Sequence, residues 1–199
     1  MTPALADLRL ATPRPALREL ALEDAPAVQE WASDPEVARY MPWGPNTPEQ
    51  TEAFLRDAVP TRWETPRRTF ELGIELRGSS RLVGACGIRI RSAEDRVADL
   101  GYALRRDAWG QGLATEAARA LVEFGFRTLR MHRIWATCHV DNARSARVLE
   151  KAGMQREGRL RENVRKDGAW RDSWLYAILD GDAGFTPVLV GEGRALPPC

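Results

Sequence analysis

A helix lying between two strands, and entered through a pair of spaced glycines, constrains this chain more than any other stretch of its 199 residues. Ala98–Leu104 alternates as a strand, and Arg105–Ala108 then leads into Trp109-Gly110-Gln111-Gly112. From Gln111 to Leu129 the apolar residues Ala114, Ala117, Leu121, Phe124 and Leu129 recur near helical spacing, which predicts a long helix. Ile134–His139 predicts the next strand. Two strands joined through a helix run parallel, so this unit commits the chain to an α/β architecture. The turn also carries chemistry. A helix N-terminus leaves backbone N–H groups without intrahelical acceptors, and with the helix dipole they suit an anion such as a pyrophosphate. Glycine at 110 and 112 lets the backbone approach phosphates with no β-carbon in the way. By itself, a Gly-x-Gly turn also fits a tight joint that binds nothing.

The rest of the chain adds antiparallel pieces around this unit. Residues 1–15 are Pro-rich and read as a loose N-terminal segment, with a strand opening at Ala16–Leu20 and a helix over Ala21–Trp31. Ser33–Asn46 is a loop; Thr47, Pro48 and Gln50 then supply a cap, a first helical position and a capping box for a second helix that ends near Pro60. Thr69–Leu76 and Arg81–Arg91 flank Gly78-Ser79-Ser80 as a hairpin. Asn142–Lys151 is a short helix stopped by Gly153, and Met154–Val164 and Trp170–Leu179 form a last hairpin about Lys166-Asp167-Gly168. One domain over residues 16–180 is expected, with a Gly/Pro-rich tail at 181–199.

Charge and composition remove several classes of function. A formal net charge of +1 gives no electrostatic footprint for nucleic acid. The Arg-rich stretch Arg156–Arg171 is interleaved with Glu157, Glu162 and Asp167, and reads as a solvated strand face. No apolar run reaches the roughly 20 residues of a membrane helix, and the N-terminus lacks a signal-peptide order, so a cytoplasmic protein without membrane contact is expected. Cys86, Cys138 and Cys199 are odd in number and far apart, which suggests neither a disulfide framework nor zinc. His132 and His139 have no partners at ligand spacing, and no metal is expected.

A second segment sharpens the first. The strand ending at His139 runs into Val140-Asp141-Asn142-Ala143-Arg144-Ser145, and the following helix closes with Lys151-Ala152-Gly153-Met154. Asn142 has an amide that donates and accepts, as a pantetheine amide requires; it equally suits a helix N-cap, and the two roles are compatible. Gly101-Tyr102-x-Leu104…Trp109-Gly110-x-Gly112-x-Ala114-Thr115-Glu116-Ala117, taken with Asn142-x-x-Ser145…Lys151-x-Gly153-Met154, resembles the GNAT superfamily of N-acetyltransferases. More specifically it resembles the ribosomal-protein N-terminal acetyltransferase branch, the RimJ/RimL type, over roughly Ala16 to Leu179.

That resemblance implies a single GNAT-like α/β domain with a mixed, mostly antiparallel central sheet and helices on both faces. It also implies a splayed parallel strand pair where the cofactor lies. Acetyl-CoA is the implied co-substrate, with no metal. Main-chain groups of Tyr102 and Leu104 are implied to pair with the pantetheine arm. Amides of Trp109, Gly110, Gln111, Gly112, Leu113 and Ala114 are implied to hold the pyrophosphate, with Thr115 next in the motif; Asn142 and Ser145 complete the cofactor set. Family members usually carry Gln or Arg where this chain has Asp107, and Arg105 or Arg106 is placed to offset that charge.

In this superfamily the amine usually attacks the thioester directly, with no acyl-enzyme on a cysteine. The tyrosine that many members use as the acid is replaced by Leu149. Ser145, one helical turn earlier on the same face, matches the serine implied as proton donor to the thiolate; its plainer role is a hydrogen bond to the cofactor or to its own helix. The branch's glutamate aligns with Val164. Glu162, two residues away and so on the same strand face, is the substitute base, with a water relay as the other route. Trp31, Tyr40 and Trp43 are offered as acceptor-cleft residues, or as core packing. The acceptor is an amine: a protein N-terminus, or alternatively an antibiotic, toxin or polyamine. A non-catalytic acetyl-CoA sensor is the alternative of another class, and a homodimer is compatible with the resemblance.

Overall fold

Burial on both faces of the central hairpin sets the layers of the molecule: residues 82–84 and 86–88 are buried in consecutive runs. A computed structural model of the chain describes residues 7–182. Cys199 and the tail expected at 181–199 lie outside that range from residue 183 onward, as do residues 1–6. The strands are β1 (Arg9–Ala11), β2 (Pro15–Glu19), β3 (Thr69–Leu76), β4 (Arg81–Ser92), β5 (Val97–Leu104), β6 (Arg133–His139), β7 (Gln155–Lys166) and β8 (Ala169–Leu179). They form one sheet in the order β1-β2-β3-β4-β5-β6-β8-β7. Only β5 and β6 pair in parallel, across the predicted helical crossover; the other neighbours are antiparallel.

The helices are α1 (Ala25–Ala32), α2 (Pro35–Ala38), α3 (Pro48–Ala58), α4 (Leu113–Arg127) and α5 (Ala143–Lys151). One face of the sheet packs Ala98, Leu100, Ile134 and Ala136 against Ala117, Leu121 and Phe124 of α4 and Leu149 of α5. The other packs Leu82 and Ala103 against Val28, Trp31 and Leu55 of α1 and α3. Helices therefore cover both faces, as the α/β expectation requires. The capping box forms as predicted: Gln50 donates its backbone N–H to Thr47 Oγ1 (3.3 Å), and Thr47 donates its own to Gln50 Oε1 (2.8 Å). Such a cap is worth about 1 kcal/mol.

Three expectations are corrected. The segment expected to be loose to residue 15 contains β1, which pairs Leu10 with Leu17; Leu10 and the preceding Leu8 are buried. Pro13 sits in the β1–β2 turn and Pro15 opens β2, positions that need no ladder N–H, so the prolines bound strands here. The loop at 33–46 contains the one-turn helix α2, capped by Asp34 Oδ1 accepting from the Glu36 N–H (2.9 Å). In β7 the simple strand pattern breaks. Leu160 pairs with Ser173 and Val164 with Arg171, so residues 161–163 bulge opposite Asp172 alone.

Candidate active site

The parallel pair opens into a cleft. β5 and β6 pair at Val97↔Arg133, Ala98↔Ile134 and Asp99↔Trp135, and no further pair joins them among the described residues. β5 stays with β4 as far as Gly84↔Leu104, and β6 with β8 as far as His139↔Ser173. Gly84 explains part of the divergence: a β-carbon there would lie 2.3 Å from the Ala103 carbonyl oxygen, so β5 leans closely on β4 where it leaves β6.

Ladder parity fixes which main-chain groups face the gap. Arg105 donates its N–H to the Val83 carbonyl (2.9 Å), so Gly84↔Leu104 is a non-hydrogen-bonded pair. The N–H and C=O groups of Leu104, and of Tyr102 two residues earlier, therefore point away from β4 and toward the gap. The Leu104 carbonyl also accepts from Trp109 Nε1 (2.8 Å), a contact invisible in the sequence.

Beyond β5 the chain makes the glycine turn. Gly110 and Gly112 have φ of +75° and +81°, the left-handed region that favours glycine, and Gly112 caps α4. A β-carbon on Gly110 would meet nothing within 4 Å. The first intrahelical bond runs from the Glu116 N–H to the Gly112 carbonyl (3.1 Å), which leaves the amides of Leu113, Ala114 and Thr115 ahead of the helical ladder. The side chains of Leu113 and Thr115 are buried, so these residues offer backbone to a ligand. Gln111 turns its side chain back to the Asp107 carbonyl (2.8 Å). Arg14, which sequence reasoning missed, lies against this turn: its Nη1 donates to the Gln111 carbonyl (2.5 Å) and its Nε to Glu116 Oε1 (2.6 Å).

Asp107 is offset by Arg105 (Nε to Oδ1, 3.2 Å), as anticipated, and by Arg81 (Nη2 to Oδ2, 2.8 Å); Arg106 instead pairs with Asp34. Desolvation opposes its charge, but the Arg81 hydrogen bond and the two guanidinium charges hold its carboxyl below the ordinary aspartate value. The departure from the family pattern is thus met by paired guanidinium groups beside the turn.

Across the gap, Asn142 is the N-cap of α5, its Oδ1 accepting from the Ser145 N–H (3.1 Å). Its amide nitrogen is the donor that remains for a ligand. The Ser145 hydroxyl lies 2.9 Å from the Tyr102 hydroxyl, which also reaches the Ser145 carbonyl (3.1 Å). Burial pushes the Tyr102 phenol well above the ordinary tyrosine value, only partly countered by its hydrogen bond with Ser145. Leu149 is fully buried and holds the place of the missing tyrosine with a core side chain. Cys138, beside the gap, has its thiol pushed up to about 11 by burial and by the charge of Glu150, so it is not a thiolate nucleophile at neutral pH.

The same-face argument for Glu162 fails, because the residue lies in the β7 bulge. Its φ is +53°, and its N–H donates to Asp172 Oδ1 (2.8 Å). With Arg159, Arg161, Asn163 and Asp172 it lines an open cavity of about 820 Å³. Neighbouring Ser173 is in register with His139 at the end of β6, which puts the bulge level with the open end of the gap.

Of the proposed acceptor residues, Trp31 is 2 % exposed in the second core cluster, which removes it from any cleft surface. Tyr40 is half-buried and stacks on His139 with ring centroids 5.1 Å apart. Trp43 contributes its carbonyl, which together with that of Ala38 accepts from Lys166 Nζ (3.0 and 2.5 Å). Arg171 adds a bond to the Arg39 carbonyl (2.8 Å), so the 38–43 segment and the β7–β8 hairpin meet. His139 was considered only as a metal ligand in the sequence, and its place at this mouth was missed. Among the described residues no group of three or more His, Cys, Asp or Glu side chains is arranged to hold a metal, and no helix is long and apolar enough to cross a membrane.

With this geometry in hand, similarity to known proteins is informative. A family model described as an acetyltransferase (GNAT) domain matches residues 14–155. The uncharacterized N-acetyltransferase YnaD of Bacillus subtilis is 32% identical over 173 residues, covering 87% of this chain and 98% of that one. The [ribosomal protein uS5]-alanine N-acetyltransferase of Escherichia coli is 36% identical over 88 residues, 44% of each chain. Among solved structures, Mycobacterium smegmatis RimJ in complex with CoA-disulfide is 28% identical with a TM-score of 0.77, over 90% of both chains.

Proposed function

The chain belongs to the GNAT acetyltransferase family and is an N-acetyltransferase, and from that premise we propose that it carries acetyl from acetyl-CoA directly to the α-amine of a protein N-terminus. The observation that carries the acetyl-CoA half is the gap between β5 and β6, which leaves main-chain groups of Tyr102 and Leu104 facing an unfilled strand position beside the Gly110–Gly112 turn. An extended amide chain fits there as an added strand, with Asn142 donating to a pantetheine carbonyl and the pyrophosphate on the amides from Gly110 to Thr115; the Trp109 N–H, expected to join them, is instead given to the Arg106 carbonyl (3.1 Å). A cytoplasmic location belongs to the same proposal.

For the acceptor, the support is the kinship with RimJ and with the uS5-alanine enzyme, together with the charge of the mouth. The cavity at the bulge sets Arg159 and Arg161 against Glu162 and Asp172. A balanced surface suits a peptide backbone better than a polycation, which would seek a strongly acidic cleft. In this scheme the amine nitrogen attacks the thioester carbonyl carbon, the C–S bond breaks, and Ser145 supplies a proton to the departing sulfur. Glu162 takes the amine's proton, directly or through water.

A panel of peptides with free N-termini and of small amines, including a polyamine and an aminoglycoside, read as thiol released from acetyl-CoA, tests the acceptor. Peptides are expected to give the highest kcat/KM; a higher value for the polycations transfers the assignment to small-molecule acetylation. Glu162→Gln is expected to slow turnover about 10-fold near neutral pH. The loss should shrink as pH rises past the pKa of an α-amine, about 8, where the substrate deprotonates unaided. Wild-type rates across that range would make Glu162 a solvated bulge carboxylate and nothing more.

A further inference from the structure

We propose that the Tyr102 side chain is a positioning residue for Ser145: its hydroxyl holds and polarises the serine hydroxyl, so that the two act as one proton-delivering pair across the β5–β6 gap. The inference rests on Ser145 being the donor to the sulfur and adds a role for Tyr102 distinct from its main-chain contact with the cofactor. The two hydroxyls come from opposite banks. Tyr102 stands on β5 beyond Asp99, the last residue of that strand with a partner on β6, and Ser145 is in the first turn of α5, which follows β6 after three residues. Their 2.9 Å link joins positions 43 residues apart in sequence.

A lone serine in the first turn of a helix is poorly suited to this task. Its hydroxyl rotates among staggered positions, and nearby backbone groups compete for its proton. Here the Ser145 N–H makes no claim on Oγ, because Asn142 Oδ1 accepts it. Tyr102 has one hydroxyl proton and, among the contacts made by its oxygen, only Ser145 Oγ and the Ser145 carbonyl as acceptors. Burial keeps that phenol protonated throughout the working pH range, so it remains a donor. Of these two acceptors Oγ is the nearer (2.9 against 3.1 Å); with the tyrosine proton assigned to it, the serine proton is directed away from Tyr102 and is free for the gap. The chemistry needs this help. A free thiol has a pKa of about 8.5, well below that of an alcohol, so sharing a serine proton with a departing thiolate puts negative charge on Oγ. A hydrogen bond to that charge strengthens as it develops, and preferential stabilisation of this kind lowers the barrier without tightening ground-state binding. No covalent bond to Tyr102 is made or broken; the proton passes between Ser145 Oγ and sulfur, and Oγ recovers it from water after the thiol leaves.

The test is a double-mutant cycle in kcat, measured as thiol release from acetyl-CoA with the fastest acceptor of the panel above. Tyr102→Phe removes the hydroxyl and keeps the ring. It is expected to lower kcat by about 10- to 100-fold, with KM for acetyl-CoA within a few fold and a thermal unfolding midpoint lowered by no more than about 5 °C. In a Ser145→Ala background the same change is expected to have no further effect, since its target is gone. Equal losses in both backgrounds would overturn the pairing while leaving Ser145 as the donor, as would an unchanged kcat in Tyr102→Phe beside a slow Ser145→Ala. A Ser145→Ala enzyme with wild-type kcat would overturn the pairing together with the donor role on which it rests.

Discussion

Ser145→Ala is expected to lower kcat by about 10²–10⁴-fold while acetyl-CoA affinity stays within a few fold. The structure separates the two effects. The Ser145 backbone N–H is held by Asn142 whatever the side chain is, so the start of α5 and the Asn142 cap survive the substitution. What disappears is the hydroxyl beside Tyr102; Leu149 is buried and apolar and the Cys138 thiol sits in the wall with its pKa raised, so neither replaces it. Thiolates leave tolerably well without help, which sets the upper limit on the loss. Steady-state kinetics with calorimetry on the same variant checks both halves. Collapse of affinity with kcat intact at saturation would make Ser145 a cofactor ligand and send the search for the acid to water.

Gly112→Val is expected to weaken acetyl-CoA binding on the order of 100-fold, the loss of one or two charge-assisted hydrogen bonds to phosphate. At a φ of +81° a branched residue is strained, at roughly 1–3 kcal/mol, so part of the effect falls on stability. The added β-carbon would come 2.9 Å from Arg14 Nη2, the end of a flexible side chain that shifts easily. The larger change is therefore at the amides of Leu113 to Thr115, which open the helix where the phosphates are placed. Calorimetry on folded variant protein measures it, and unchanged affinity would contradict the placement of the pyrophosphate.

Much of the fold was legible because its signals are local. The capping box at Thr47, the alternation of Thr69–Leu76 and the glycines before α4 each act within a few residues, and each fixed an element that the structure contains. The gap followed from family resemblance rather than from periodicity, since no pattern in β5 or β6 states where two strands stop pairing. Errors arose where tertiary context decides. The bulge at 161–163 carries no glycine to announce it, so counting by twos does not fix the face that Glu162 takes. An aromatic on α1 is cleft or core according to what packs beneath it, and Trp31 is core. The Arg14–Glu116 pair spans 102 residues, and Tyr102–Ser145 spans 43; neither has a local signature.

The central claim is that the gap and the turn serve turnover and not mere ligand sensing. Mass spectrometry of a free-N-terminus peptide incubated with acetyl-CoA and the protein tests it most directly, with free thiol measured in the same sample. One acetyl group per peptide on the α-amine, with an equal amount of thiol released, is the expected result. Saturable acetyl-CoA binding with neither product, for peptides and small amines alike, would contradict it and make the protein a sensor.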